Sequence, residues 1–250
     1  MAKTEKTSLL KPNERMDDLE LSHLKIIQNP KEFSFGMDAV LLSGFAKAKK
    51  GDEVLDLGTG TGIIPILMSA KTQASHYTAL EIQKESADRA RRSVLLNHLD
   101  RVIDVVQGDL READAIFAPA SFDVVTANPP YIPAGKGMVN LSDAKAAARH
   151  EVLCTFEDVA RVTGQLLKTS GHFYLVHRPF RLFEIASILH RHGLEPKRLR
   201  LVYPYVDREP TLFLLDCVKG AGQYLNVEKP LIIFKQEGEY SDEIRTIYGY

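Results

Sequence analysis

The sequence Asp56-Leu57-Gly58-Thr59-Gly60-Thr61-Gly62 follows an apolar run of strand length and opens a helical pattern. Three glycines at alternate positions permit a tight turn and let the backbone approach a ligand closely. Taken alone, the motif is also compatible with a plain turn or with a dinucleotide site. From this point onward, short apolar runs alternate with helical patterns, which predicts βαβ units and a mainly parallel sheet.

Seven strands are predicted in this sheet, with helices between most of them. The predicted strands are 53–57, 77–82, 103–107, 122–127, 172–176, 198–203 and 211–218, and the predicted helices are 62–70, 84–97, 149–167 and 181–192. A polar loop bracketed by prolines joins the last two strands without room for a helix, so the last strand is predicted to run antiparallel. An apolar run at 231–234 indicates a further edge strand or a packed tail.

A chain of 250 residues is suited to one principal α/β domain. The Lys-, Thr-, Glu- and Ser-rich start predicts a flexible N-terminus over residues 1–18 and a single domain over 19–250. Within that domain, residues 19–50 are expected to cover a cofactor, with a helix beginning near Asp38. Residues 220–250 are expected to form a C-terminal tail.

Charge and cysteine content exclude several classes of protein. The formal net charge of −1 provides no global field for nucleic acid or membranes, so any RNA contact must be local. The two cysteines lack the spacing of a zinc site or a disulfide framework, and no metal is predicted. Neither a signal peptide nor a membrane-spanning apolar segment is visible, so a cytoplasmic location without membrane contact is expected.

Acidic residues near the glycine loop favour a positively charged cofactor. Asp56 would face an ammonium group but repel a pyrophosphate, and the G-x-G-x-G spacing departs from that of dinucleotide folds. About 20 residues on, Glu81 ends the next strand, where a carboxylate can accept two ribose hydroxyls. Asp109 follows the third strand, from which it could bind an adenine amino group. The alternatives are a surface charge for Glu81 and a helix N-cap for Asp109.

The fourth strand leads into Asn128-Pro129-Pro130-Tyr131. The Asn128 side-chain oxygen and the Pro129 carbonyl could accept both hydrogens of a planar amino group, which would free the nitrogen lone pair for attack. Tyr131 offers a ring on which a base can stack. The alternative is that these residues form only a rigid turn.

Together these motifs resemble the Asn-Pro-Pro-Tyr amino-methyltransferases that act on adenine N6, cytosine N4 or glutamine N5. Residues 35–45, 148–151 and 244–249 narrow the resemblance to the bacterial tRNA1(Val) (adenine37-N6)-methyltransferase family. The resemblance implies a Rossmann-like class I fold, S-adenosylmethionine as cofactor and a tRNA anticodon loop as partner. It also implies that Asn128, Pro129, Pro130 and Tyr131 are catalytic, and that the cofactor is bound by Asp38, Asp56, Gly58, Thr59, Gly60, Gly62, Glu81, Ile82, Asp109, Leu110 and Asn128. No role is assigned to Arg149, His150 and Glu151.

Three other functions remain open. A glutamine-N5 methyltransferase of release factors shares the Asn-Pro-Pro-Tyr motif, but such enzymes carry a helical domain for which the roughly 50 residues before the first strand are too few. A DNA adenine methyltransferase would need a target-recognition domain, and none is visible. A binding module without turnover is the third, although both loops are intact.

Three basic clusters could contact RNA phosphates: Arg89–Arg92, His177–Arg181 and Arg191–Arg200. The first is interpreted as a solvated helix face. Arg178 and Arg181 follow the fifth strand, next to the strand that carries Asn128, so they are predicted to contact phosphate.

Overall fold

Strands and helices alternate through most of the chain in the structure, a computed structural model that describes residues 9–31, 35–131 and 154–249. The strands are β1 Arg15–Asp18, β2 Lys25–Gln28, β3 Glu53–Leu57, β4 His76–Glu81, β5 Ile103–Gln107, β6 Phe122–Ala127, β7 Leu167–His177, β8 Leu194–Tyr203, β9 Leu212–Lys219, β10 Asn226–Val227, β11 Leu231–Ile232, β12 Phe234–Gln236 and β13 Glu239–Tyr240. The helices are α1 Met37–Phe45, α2 Ile63–Lys71, α3 Lys84–Leu96, α4 Ala113–Ile116, α5 Phe156–Leu166, α6 Leu182–Arg191 and α7 Asp242–Tyr248. Two 3-10 turns lie at Leu110–Glu112 and Pro179–Arg181.

The main sheet has the order β10-β8-β9-β7-β6-β3-β4-β5, and β11 also pairs with β8. All its pairs are parallel except those of β9, which runs antiparallel to both β7 and β8. This confirms the Rossmann-like, mostly parallel sheet with an antiparallel last strand. The described residues form nine strands in it, not seven, because two-residue strands β10 and β11 extend the edge at β8. Strand β11 is the edge strand that the apolar run at 231–234 indicated, whereas β10 is too short and polar to show a hydrophobic alternation.

Alternate residues of the central strands pack into two layers. Val54, Val124 and Tyr174 face a core shared with α1, α2 and α7. Leu55, Val125 and Phe173 face the opposite core, which α5 and α6 cover. Because side chains alternate along a strand, a sheet buried on both faces needs nearly continuous apolar strands, as the sequence provides.

Order extends further toward the N-terminus than the sequence predicts. Strands β1 and β2 form an antiparallel hairpin, and Glu14 forms an ion pair with Arg92 at 2.6 Å. The hairpin packs on α3, where the Ile27 amide donates to Ser93 Oγ at 3.0 Å. Long-range contacts of this kind order a polar segment that local composition would leave flexible.

Most other predicted boundaries agree with the structure within one or two residues, and three differ. The predicted helix 149–167 contains α5, whose capping box at Thr155 and Asp158 sets its first turn; residues 149–153 lie outside the described part. Strands β7 and β8 each begin earlier than predicted, because Leu167 of β7 pairs with Phe122 of β6, and Leu194 of β8 pairs with Lys219 of β9.

Candidate functional site

The sheet reverses its strand order at β3, which pairs with β4 on one side and with β6 on the other. In open α/β sheets, ligands bind at such a switch point, outside the carboxyl ends of the strands. The glycine loop after β3 (residues 58–62) and the Asn-Pro-Pro-Tyr loop after β6 (residues 128–131) therefore flank the same crevice. We call this side of the sheet the carboxyl edge.

Hydrogen bonds to β4 hold the glycine loop in shape. The amides of Gly58 and Thr59 both donate to the Leu80 carbonyl at 3.0 Å. Gly58 and Gly60 have φ angles of 70° and 59°, a region that other L-residues enter only with strain. A Cβ on either would meet no described atom within 4 Å, so open space lies directly beside the loop backbone.

Asp56 is buried below this loop and is incompletely satisfied. Its Oδ1 accepts a hydrogen bond from the Thr126 hydroxyl at 2.6 Å, whereas Oδ2 has no partner among the described residues. Burial raises the pKa of Asp56 to about 7. The side chains of Thr126 and Thr59 act against this rise, and the buried carboxylate could also accept from a positively charged group.

Glu81 is not a surface charge, since only 5% of it is exposed. Its Oε2 accepts the Gly60 amide and its Oε1 accepts the Gln83 amide, both at 2.8 Å. Burial raises the pKa of Glu81, against these backbone hydrogen bonds. The carboxylate thus fixes the glycine loop while it borders the crevice, and neighbouring Ile82 is half-buried.

Asp109 is the N-cap of a helical turn, which was the alternative to a role in binding. Its Oδ1 accepts the Arg111 amide at 2.9 Å and caps the 3-10 turn that begins at Leu110. The Arg111 guanidinium also pairs with it, and this hydrogen bonding lowers the pKa of Asp109. That Asp109 and Leu110 contact the adenine of the cofactor stays a prediction.

Asp38 and the Asn-Pro-Pro-Tyr loop meet through the Tyr131 hydroxyl. This hydroxyl donates to a carboxylate oxygen of Asp38, at the start of α1, and lies 2.8 Å from Asn128 Oδ1. Burial, followed by the Asp38 charge, raises the pKa of Tyr131 well above its usual range, so the hydroxyl keeps its proton. A phenol has one hydrogen, and its bond to Asp38 leaves acceptor capacity on the Asn128 oxygen for an incoming amino group.

Two residues of β7 and its following turn support the Tyr131 ring. The Arg178 guanidinium lies 5.0 Å from the ring centroid, and the His177 ring meets it edge-on at 5.1 Å. Burial lowers the pKa of His177 to about 3, so this histidine is neutral. In the sequence His177 lies in a basic cluster, and nothing local reveals that it ends a buried strand. The predicted stacking face of Tyr131 is covered by Arg178 on one side.

The other basic residues are largely engaged within the protein. Arg181, predicted to contact phosphate, is 7% exposed and forms a two-pronged ion pair with Glu184 at 2.6 and 3.0 Å. Arg89 and Arg92 lie beneath Glu14 and are not a solvated face. Arg191 and Arg200 pair with Glu157 and Glu243. Only tertiary contacts could reveal these partners.

These features fit S-adenosylmethionine. The unpaired Asp56 oxygen suits its positive methionine end, and the space beside Gly58 and Gly60 lets it lie against the backbone.

Residues 9–31, 35–131 and 154–249 contain no group of three metal-ligating side chains. No helix in those ranges is long and apolar enough to span a bilayer. Arg149, His150 and Glu151 lie outside the described residues.

Proteins similar in sequence to this chain are named as methyltransferases. A protein from Histophilus somni named tRNA1(Val) (adenine(37)-N6)-methyltransferase is 25% identical over 237 residues, which cover 93% of this chain and 96% of that protein. A Bacteroides thetaiotaomicron protein of the same name is 30% identical over 56% of this chain and 58% of its own length.

The fold is also found among solved structures. A predicted O-methyltransferase from Agrobacterium tumefaciens superposes with a TM-score of 0.69 at 22% identity, covering 85% of this chain and 95% of that one. At this identity the likeness establishes the fold alone. The family model described as "Methyltransferase small domain" matches residues 31–184, which contain both loops and Asp38, so this chain belongs to the methyltransferase small domain family.

Proposed function

We propose that this protein transfers a methyl group from S-adenosylmethionine to N6 of adenine 37 in the anticodon loop of tRNA1(Val). The observation that carries the proposal is the Asn-Pro-Pro-Tyr loop, whose Asn128 amide lies at the switch point beside the glycine loop. The name shared by relatives that match most of this chain supports the choice of adenine 37. A cytoplasmic location belongs to the same proposal.

The chain's own residues prepare the adenine amino group for attack. S-adenosylmethionine, when bound, supplies a methyl group on a positively charged sulfur. Asn128 Oδ1 and the Pro129 carbonyl accept the two amino hydrogens, which localises the nitrogen lone pair toward the crevice. Asp38 accepts the hydrogen bond of the Tyr131 hydroxyl, which lies 2.8 Å from Asn128 Oδ1 and so borders the position of the amino group. An anticodon loop suits this site because its unpaired bases can be turned outward without opening a duplex.

The direct test is tritiated methyl transfer to fractionated tRNA, followed by mass spectrometry of the modified nucleoside. We expect N6-methyladenosine at position 37 of tRNA1(Val). Methylation of a release-factor fragment with no transfer to tRNA would replace the proposal with the glutamine-N5 reaction. Cofactor binding without transfer to either acceptor would favour a binding module.

Cofactor affinity is expected to increase with pH between 5.5 and 7.5. The pKa of Asp56 is raised to about 7, so below that pH the carboxyl is protonated and must lose its proton to attract a cation. The affinity should fall by up to about tenfold per pH unit below 7, while an α-amino group, with a pKa of about 7.7–8.0, stays mostly protonated over this range. Calorimetry across this window should show the trend in the wild type and a nearly flat profile in Asp56→Asn. A flat wild-type profile would contradict the role of Asp56.

The salt dependence of tRNA binding is expected to identify Arg178 as a phosphate contact. Arg178→Ala should reduce the slope of log affinity against log salt by about one unit. The sequence predicts the same for Arg181, but the Arg181 side chain is buried and paired with Glu184, so we expect no change of slope for Arg181→Ala. Exposed Arg91, on α3, is the matched control. A reduced slope in Arg91→Ala alone would put the RNA on the other half of the sheet.

A further inference from the structure

Two phenylalanine rings project into solvent immediately after β7. Phe180 is 72% exposed and Phe183 is 91% exposed, and they are the only exposed phenylalanines among the described residues. Large apolar side chains gain free energy by leaving water, so two neighbouring exposed rings indicate a surface that binds another molecule.

The backbone beneath these rings is fixed by its buried side. Pro179 begins the 3-10 turn, and Arg181 is held in its ion pair with Glu184. Ile185 and Leu189 then bury the inner face of α6 completely. Positions 181, 185 and 189 follow the i, i+4 spacing of one helix face, which directs Phe183 to the outside. The rings are therefore presented by a rigid segment and are not part of a loosely packed core.

This segment lies next to the proposed catalytic loop in space. The Arg178 guanidinium lies 5.0 Å from the Tyr131 ring centroid, and Arg178 Nη1 also donates to the Thr211 carbonyl at 3.1 Å. Two residues of extended chain span at most about 7 Å, so the Cα atom of Phe180 lies within that distance of the Cα atom of Arg178. A nucleotide next to an adenine held at Asn128 and Tyr131 would thus lie over this surface.

We propose that Phe180 and Phe183 form a stacking platform for the unpaired bases that flank the methylated adenine. The inference rests on the proposed function and specifies how its RNA is held. Aromatic faces bind unpaired bases without requiring a particular sequence, and a guanidinium beside them can contact the backbone. A platform of two rings and one arginine matches single-stranded RNA, in which apolar base faces and phosphates alternate.

The test compares Phe180→Ala, Phe183→Ala and the double variant with Tyr224→Ala. Tyr224 is 73% exposed but follows the end of β9, where Val218 pairs with His172 early in β7, so it matches the ring exposure at the other end of the strands. Fluorescence anisotropy with tRNA1(Val) should show about 5- to 150-fold weaker binding for each phenylalanine variant, the range found when one stacking residue is removed. Tyr224→Ala should bind tRNA with wild-type affinity. All variants should bind the cofactor with wild-type affinity.

Two further measurements separate stacking from general apolar contact. Phe183→Trp should retain affinity while Phe183→Leu should lose it, because only the former keeps an aromatic face. A 2-aminopurine placed next to position 37 should be quenched on binding to the wild type and not to the double variant. Wild-type methylation of tRNA with unchanged affinity in the double variant would overturn the platform alone. If wild-type protein neither binds nor methylates tRNA, the proposed function fails as well.

Discussion

Asn128→Ala is expected to reduce kcat by at least about 100- to 1000-fold, the range for losing one preorganised hydrogen-bonding group at a reacting centre. The amide oxygen is the acceptor proposed for the adenine amino group, and alanine leaves the amino nitrogen conjugated with the ring. Affinity for S-adenosylmethionine should change little, because the residues proposed to bind the cofactor are the glycine loop, Asp56 and Glu81, which are held by their own hydrogen bonds without Asn128. Single-turnover methyl transfer and calorimetry measure the two effects.

Matched variants distinguish this chemistry from damage to the loop. Asn226→Ala removes an exposed amide from edge strand β10 and should leave both measurements unchanged. Tyr131→Phe keeps the ring but removes the hydroxyl that contacts Asp38 and Asn128, so its kcat should fall between those of Asn128→Ala and the wild type. Near-normal turnover of Asn128→Ala would eliminate the proposed chemistry.

Gly60→Ala is expected to weaken S-adenosylmethionine binding by about 5- to 150-fold, since an added methyl group in a packed site typically costs about 1–3 kcal/mol. The new Cβ would enter the space beside the loop that no described residue fills, and φ at Gly60 is 59°. Strain at this angle also shifts the amide that donates to Glu81. Calorimetry measures the affinity, and thermal unfolding measures the loss of stability.

Gly238→Ala is the control for backbone strain. Gly238 has a φ of 75° and equally open surroundings, but it lies in the turn between β12 and β13. Both variants should lose a similar amount of stability, about 1–2 kcal/mol, because each forces an L-residue into the left-handed region. Equal cofactor affinity in the two variants would remove the glycine loop from the binding site.

Several features of this protein could be predicted because they depend on local patterns. The apolar runs at 53–57 and 122–127 identify β3 and β6, and the polar loop before Thr211 predicts the antiparallel direction of β9. Carboxyl ends of parallel strands meet at one edge, so residues separated by about 70 positions could be assigned to one crevice. Asp56 and Asn128, which belong to the neighbouring strands β3 and β6 and the loops that follow them, are such a pair.

Other features depend on partners distant in the chain. Arg181 and Arg178 are equally basic in the sequence, yet Arg181 is buried and paired with Glu184 while Arg178 covers the Tyr131 ring. His177 is neutral because the sheet buries it, and Glu14 orders a polar N-terminal segment through Arg92.

By itself, therefore, the sequence determined the α/β order of elements, the glycine loop and the Asn-Pro-Pro-Tyr loop, since each needs only neighbouring residues. Tertiary structure alone decided which charged and aromatic side chains are engaged and which, like Phe180 and Phe183, face solvent. The physical reason is that burial and pairing depend on what packs against a residue, and the packed neighbours come from other parts of the chain.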